Sequence, residues 1–534
     1  MISQSDAVRR DRRILTVLIA ALLGTAVCFR VMYLSRVPGI NGDEGWWGNQ
    51  ALAWLANQPY EARTTSGNPI DLFFLVPVAV LHAFAPPSFL LLRAIPALVN
   101  LLALPVGYWF INRAYGRTTA WVYTVALASM PTAIAHSRIC QDPSQSVFWS
   151  GIAIYLSLLG YAANKMGWAY GAVAILVFPI VLWSHPTNVF IAPFLVLPFV
   201  PAMRARWPAA ARARVMILLA GAVLIVVGVL TTLAIVQHLA GTIDYLNRPW
   251  LSNAAARMID GRQWFDFAAN GARLLNGVTV YHYFSGARPF TPPYDAAVVI
   301  VAGVALWGLL RRAPGSHRSL DAALILATAG TWLGFYAFAG PQALHPHFER
   351  WGLCLIVPAT LVLARGASAW IESSSKVRWP AVAAVTLVAS CWLTTFYVNY
   401  FREFATSGGR SHLTYVTAGT EPKQQALERI LEQATGVASV EVLTEQWWLY
   451  WPIRYLATEH PNVSVRMGLN RAPRQDLEDA IQNGRLFLVE FAETPELAAA
   501  LNWIHQRGLN VASTAVQNAG GRDFVLVLRV SAAR

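Results

Sequence analysis

Two adjacent carboxylates, Asp43 and Glu44, lie between glycines in Ile40-Asn41-Gly42-Asp43-Glu44-Gly45-Trp46-Trp47-Gly48-Asn49. A carboxylate at an apolar boundary is partly desolvated, and a like charge beside it perturbs its pKa, which suits proton abstraction or cation binding. The same residues also read as a solvated turn with two tryptophans as interface anchors. Three further segments carry polar chemistry: His136-Ser137-Arg138-Ile139-Cys140-Gln141-Asp142-Pro143, Trp183-Ser184-His185-Pro186-Thr187-Asn188, and His345-Pro346-His347-Phe348-Glu349-Arg350-Trp351. Arginine and histidine can hold a phosphate leaving group while a carboxylate takes a proton from an attacking hydroxyl. Each segment also has a plainer reading. Arg138 and Asp142 are four apart and form a local ion pair on a helix start. His185 before Pro186 suits an interfacial turn, and His345, His347 and Glu349 suit a surface or a metal site with weak ligand spacing. No metal ligand is assigned.

These residues need elements that bring them together, and composition says what kind. The chain has 534 residues, 56% hydrophobic and 13% charged, with the apolar residues in long runs. That excludes an ordinary soluble protein and points to a polytopic α-helical membrane protein with a soluble tail. Before Phe401 there are 28 Lys/Arg against 14 Asp/Glu, and from Phe401 onward 13 against 14. The basic excess of the membrane half is a topology signal and gives no reason to expect nucleic acid as a partner. Of the four cysteines, Cys28, Cys140, Cys354 and Cys391, none is in the tail, so no disulfide framework is available there. Four arginines between Met1 and Arg13 precede an apolar run too long for a signal-peptide core, which predicts a retained first span.

Apolar runs place spans near 14–33, 89–111, 118–136, 147–163, 167–184, 187–201, 215–236, 295–310, 320–339, 351–365 and 380–400, about eleven in all. The stretch from Ile70 to Phe84 is marginal in length and interrupted by Pro77 and His82. Were it a span, every later basic cluster would move to the side opposite the N-terminal arginines, against the positive-inside rule. It is therefore assigned to a re-entrant or surface-lying helix. The resulting topology is multi-pass in a bacterial inner membrane, with the N-terminus cytoplasmic and the C-terminal domain periplasmic or extracellular. The polar segments then share one face of the membrane, in loops 34–88, 136–146, 237–294 and 340–350 and in the tight turn 183–188. The third of these carries Tyr281-His282-Tyr283 and reads as amphipathic helices on the membrane surface.

Residues 1–400 form the membrane domain and 401–534 a soluble α/β domain in this reading. Helix signals fall at Glu421–Ala434, Arg474–Asn483 and Thr494–Gly508, and strand signals at Val437–Leu443, Leu486–Phe491 and Phe524–Val530. The aromatic cluster Glu445-Gln446-Trp447-Trp448-Leu449-Tyr450-Trp451-Pro452 suits sugar stacking or docking against the membrane half, with docking favoured.

The acidic pair in the first external loop, the Arg-x-x-x-Asp of Arg138 and Asp142, and the aromatic and arginine stretch entering a late span resemble the GT-C superfamily of glycosyltransferases. Within it the nearest pattern is the glycosyltransferase 39 type, which includes protein O-mannosyltransferases and aminoarabinose transferases. The resemblance implies a GT-C fold and an inverting transfer of a sugar from a polyprenyl-phosphate donor to a hydroxyl or phosphate on a lipid, glycan or protein acceptor. It also implies Asp43 as general base with Glu44 orienting it, and Arg138, His185, His345, His347 and Arg350 at the donor phosphate. Asp142, Glu349, Tyr281 and His282 would support the site or the acceptor. No cofactor is firmly implied, and a divalent cation joining Asp43, Glu44 and Asp142 stays open. The chain departs from the pattern at Gly45-Trp46-Trp47, at His185 and at Leu344–Arg350, which leaves sugar and acceptor undetermined. A lipid-linked sugar flippase or other transporter would need ionisable residues along a path through the bilayer, and here they gather at one surface. A non-catalytic polysaccharide-assembly protein is the third reading.

Overall fold

The structure is a computed structural model that describes residues 4–64, 70–163, 167–201, 257, 259–289, 292–312, 317–346, 348–409, 421–469 and 474–533. The expected span 215–236, most of the 237–294 loop before Gly261, and His347 lie outside the described residues.

The N-terminal half runs through α1 (Gln4–Val31), α2 (Gly42–Leu55), α3 (Leu72–His82), α4 (Phe89–Tyr115), α5 (Arg117–Ser129), α6 (Pro131–His136), α7 (Ser146–Ala162) and α8 (Gly167–Ser184). Among the described residues six helices are long and apolar enough to cross a membrane: Arg13–Val31 within α1, α4, α8, Arg318–Ala339, Glu349–Ser373 and Lys376–Ser407. The run expected at 118–136 is helical but divided, because Pro131 starts a new helix after the extended Met130. Residues 186–199 form short helical turns punctuated by Pro193 and Pro198. α3 has 11 residues, about 16 Å of helix against a hydrocarbon core of about 30 Å. It is too short to span at that length.

Four arginines in the membrane half, Arg30, Arg93, Arg138 and Arg365, are almost fully buried. A buried guanidinium must be paired or hydrogen-bonded, and these are. Arg30 donates to the carbonyls of Ala26, Leu127 and Ala128, joining α1 to α5. Arg365 pairs with Asp321 at 2.9 Å, joining two late helices.

The tail holds a mixed five-stranded sheet in the order β2-β1-β3-β5-β4, with β1 Val440–Thr444, β2 Val463–Met467, β3 Leu486–Phe491, β4 Asn510–Gln517 and β5 Asp523–Ser531. β2, β1 and β3 are parallel, and β5 pairs antiparallel with β3 and β4. Apolar clusters cover both faces, one around Ile430, Phe487 and Val527 and the other around Leu477, Leu488 and Ile504. The aromatic cluster forms the helix Trp447–Leu456. It docks on α2, and a shared core of Trp46, Trp47, Phe74, Trp451 and Tyr455 joins the sheet domain to the membrane half.

Candidate active site

The residues around Asp43 and Glu44 start a helix, where a solvated turn was one expectation. Asn41 caps α2 by accepting from the Glu44 amide at 3.0 Å, and Glu44 reaches back to the Asn41 amide at 3.4 Å, a reciprocal capping box. This fixes the two carboxylates in opposite roles. Glu44 is fully buried and grips Arg93 of α4 at 2.7 and 2.6 Å through both of its oxygens. It also accepts from the Cys140 amide at 3.0 Å. Arg93 in turn donates to the carbonyls of Leu34, Pro38 and Gly39. Glu44 is therefore a tie between the first loop, α4 and the second polar segment.

Asp43 stays partly exposed and accepts from Gln141 Nε2 at 2.5 Å. Burial holds its carboxyl above the usual range, while the charge of Arg350 and the Gln141 bond pull it down and Glu44 pushes it up. Asp142, in the 3-10 turn Asp142–Gln145, is pushed up to about 8 by burial and then by the charge of Asp43, with Arg350 opposing. Asp71 caps α3 by accepting from the Phe73 amide at 2.9 Å, and burial raises it to about 7. Its charge in turn acts on Asp142. Asp43 and Asp142 thus share the electrostatic influence of Arg350, and Asp71 is coupled to them through Asp142. Burial raises both Asp43 and Asp142, with the charge of Arg350 opposing it at each, which brings the pair toward the range where a carboxyl exchanges protons.

Arg350 opens the 3-10 turn Glu349–Leu355 and donates to the Tyr283 hydroxyl at 3.2 Å. Its charge reaches His185 as well as Asp43 and Asp142. His185 is buried, and desolvation followed by that charge lowers it to about 3. Its ring is neutral and pairs with Thr187 Oγ1 at 2.7 Å, so it offers a phosphate no positive charge.

Arg138 is turned elsewhere: its terminal nitrogens donate to the carbonyls of Phe29 and Val37 at 2.6 Å, and its guanidinium lies over the rings of Tyr400 and Phe401. Two backbone carbonyls around the end of α1 thus occupy its terminal donors. Arg138 and Asp142 form no ion pair in the structure. Glu349 is buried with His136 at 3.7 Å. Tyr281 is buried and donates to Thr395 at 3.3 Å. His345 and His282 line a cavity of about 270 Å³ with Arg273 and Arg288. Among the described residues no group of His, Cys, Asp or Glu is arranged to hold a metal ion, and the engagement of Glu44 by Arg93 removes it from a bridging cation site.

Sequence reasoning missed Arg93, Gln141 and Asp71. Arg93 had a usable signal, since an arginine inside an apolar span demands a buried partner. Gln141 had none beyond its place in the second polar segment.

No family model matches the chain, and no curated protein matches it. Among solved structures it is similar to ArnT from Cupriavidus metallidurans in the apo state, with a TM-score of 0.53 and 13% identity over 98% of this chain and 100% of that one. The same ArnT bound to undecaprenyl phosphate gives a TM-score of 0.51 at 13% identity, covering 97% and 99%. The chain has a GT-C fold. An oligosaccharyltransferase from Archaeoglobus fulgidus is also similar, at a TM-score of 0.49 and 13% identity over 89% of this chain and 69% of that one. Within the GT-C fold of this chain, the charge of Arg350 acts on Asp43 of α2 and on Asp142 of the 142–145 turn, and Asp71 of α3 acts on Asp142.

Proposed function

We propose that the chain is a membrane glycosyltransferase that moves a sugar from a polyprenyl-phosphate donor to a hydroxyl or phosphate acceptor with inversion, at a site on the periplasmic face. Asp43 takes the acceptor proton, Arg350 faces the donor phosphate, and neutral Asp142 donates a hydrogen bond within the site. The carrying observation is that Asp43 at the start of α2 is held by Gln141 of the segment that carries Asp142, with the charge of Arg350 acting on both acids. A base and a cation for the leaving group are what the transfer of a glycosyl group from phosphate requires. The likeness to an ArnT structure that holds undecaprenyl phosphate supports a lipid-phosphate donor. Asp43 is fit to be the base because Gln141 orients it while Glu44 holds its helix in place.

The test is turnover in detergent, where transport across a bilayer cannot be scored. The purified chain is expected to consume a polyprenyl-phosphate-linked sugar and release the polyprenyl phosphate. Vectorial movement of intact donor in vesicles, with no release in detergent, would overturn the reading in favour of a flippase.

A further inference from the structure

The helix that carries Asp43 has glycine at 42, 45 and 48, a spacing that weakens an isolated helix. The structure gives each a reason, and all three point at the sheet domain. A Cβ on Gly42 would lie 2.0 Å from the Trp447 ring, one on Gly45 would lie 2.5 Å from the Trp451–Pro452 backbone, and one on Gly48 would lie 2.5 Å from the Tyr455 ring. Asn49 closes the seat by donating to the Trp451 carbonyl at 3.1 Å.

Tyr455 does more than fill space. His82 Nδ1 lies 2.7 Å from the Val78 carbonyl and donates to it, which leaves Nε2 to accept from the Tyr455 hydroxyl at 2.7 Å. The same hydroxyl accepts from the Ser88 amide at 2.9 Å. His82 ends α3, the helix that Asp71 begins, and Ser88 caps α4, the helix that carries Arg93. One phenol therefore pins α3 and α4 while its ring lies against α2. Those three helices present Asp71, Arg93 and Asp43.

We propose that Tyr455 and Trp451 are positioning residues for Asp43, so that the C-terminal sheet domain is a working part of the reaction centre. This rests on Asp43 being the base. A base must lie within hydrogen-bond reach of the proton it removes, and a misplacement of about 1 Å costs on the order of 100-fold in rate. The domain helix sets the height of α2 through close backbone contact at Gly45 and sets its position against α3 and α4 through Tyr455.

The test uses the full chain in detergent, with an undecaprenyl-phosphate-linked hexose as donor, and separates kcat from KM. Gly45→Ala must push α2 off its seat, and kcat per folded molecule is expected to fall about 100-fold. Tyr455→Phe keeps the ring and removes the pin, and kcat is expected to fall about 10-fold. Donor KM and the Kd for undecaprenyl phosphate should stay within about twofold in both, since neither residue faces the donor. Wild-type kcat in Tyr455→Phe, or a loss seen only as less folded protein at unchanged kcat, overturns the proposal. So does a rise in donor KM at unchanged kcat. No turnover by the wild-type chain, or full turnover by Asp43→Asn, overturns the underlying reading and the proposal with it, whereas an inactive Asp43→Asn beside a fully active Tyr455→Phe overturns the proposal alone.

Discussion

Arg93→Met is the perturbation that probes the scaffold most sharply. Glu44 is fully buried and its main partner is Arg93, held through two contacts of 2.7 and 2.6 Å. Removing the guanidinium leaves a buried carboxylate supported only by the Cys140 and Asn41 amides at 3.0 and 3.4 Å. Breaking a buried pair in this way costs about 3–5 kcal/mol. The carbonyls of Leu34, Pro38 and Gly39 lose their donor as well. Against a total stability of about 5–15 kcal/mol for a typical domain, the single variant should be severely destabilised. Arg93→Met combined with Glu44→Gln removes the uncompensated charge while keeping an acceptor for the two amides, and should recover at least about 2 kcal/mol through pair coupling. The assay is thermal unfolding of detergent-purified chain followed by size-exclusion chromatography, with both variants and Glu44→Gln closing a double-mutant cycle. An Arg93→Met variant within about 1 kcal/mol of wild type, or a double variant no better than the single, would refute the tie between the loop and α4.

The site's electrostatics set the pH dependence. Burial raises Asp43 and a base works as the anion, so kcat/KM should rise with pH along a limb above the ordinary aspartate range of about 4. Arg350→Ala removes the charge that pulls Asp43 down; the limb should move to higher pH, and a shift to lower pH would contradict the placement of Arg350. The same variant should weaken undecaprenyl phosphate binding, measured by calorimetry, by about 10-fold or more, whereas Arg138→Ala should leave that affinity within about twofold because its donors serve Phe29 and Val37. In the sheet domain, burial raises Glu490 to about 8, so the folded chain binds this proton more tightly than the unfolded one. Its contribution to stability is present below the ordinary carboxylate range and is lost as pH rises toward 8. Glu490→Gln should therefore flatten the fall in melting temperature between pH 5 and pH 8.5, and an unchanged slope would contradict it.

What was legible in the sequence was what depends on local pattern. Twenty-residue apolar runs announce spanning helices, and the run at 70–84, read as a non-spanning helix, forms α3 of 11 residues. Leu486–Phe491 was read as a strand with the bounds of β3. β4 was missed because it is an edge strand of small, mostly exposed residues with no apolar alternation to detect. The capping box at Asn41 and Glu44 was present in the sequence, but the glycines at 42, 45 and 48 argued against a helix. Their reason lies four hundred residues away in Trp447, Trp451 and Tyr455, and no local pattern carries it. The partners of Arg138 were hidden for a similar reason: they are backbone carbonyls, which the identities of residues do not reveal. Asp43 and Arg350 stood out by residue type and by the family pattern they resemble, and the charge of Arg350 acts on Asp43.

The central claim is that Asp43 removes the acceptor proton in the step that breaks the sugar–phosphate bond. Single-turnover transfer by Asp43→Asn, started from donor already bound, tests it without interference from binding. The account predicts a rate about 100- to 10,000-fold below wild type, with donor Kd unchanged. A rate within a few-fold of wild type, at equal donor occupancy, would contradict it.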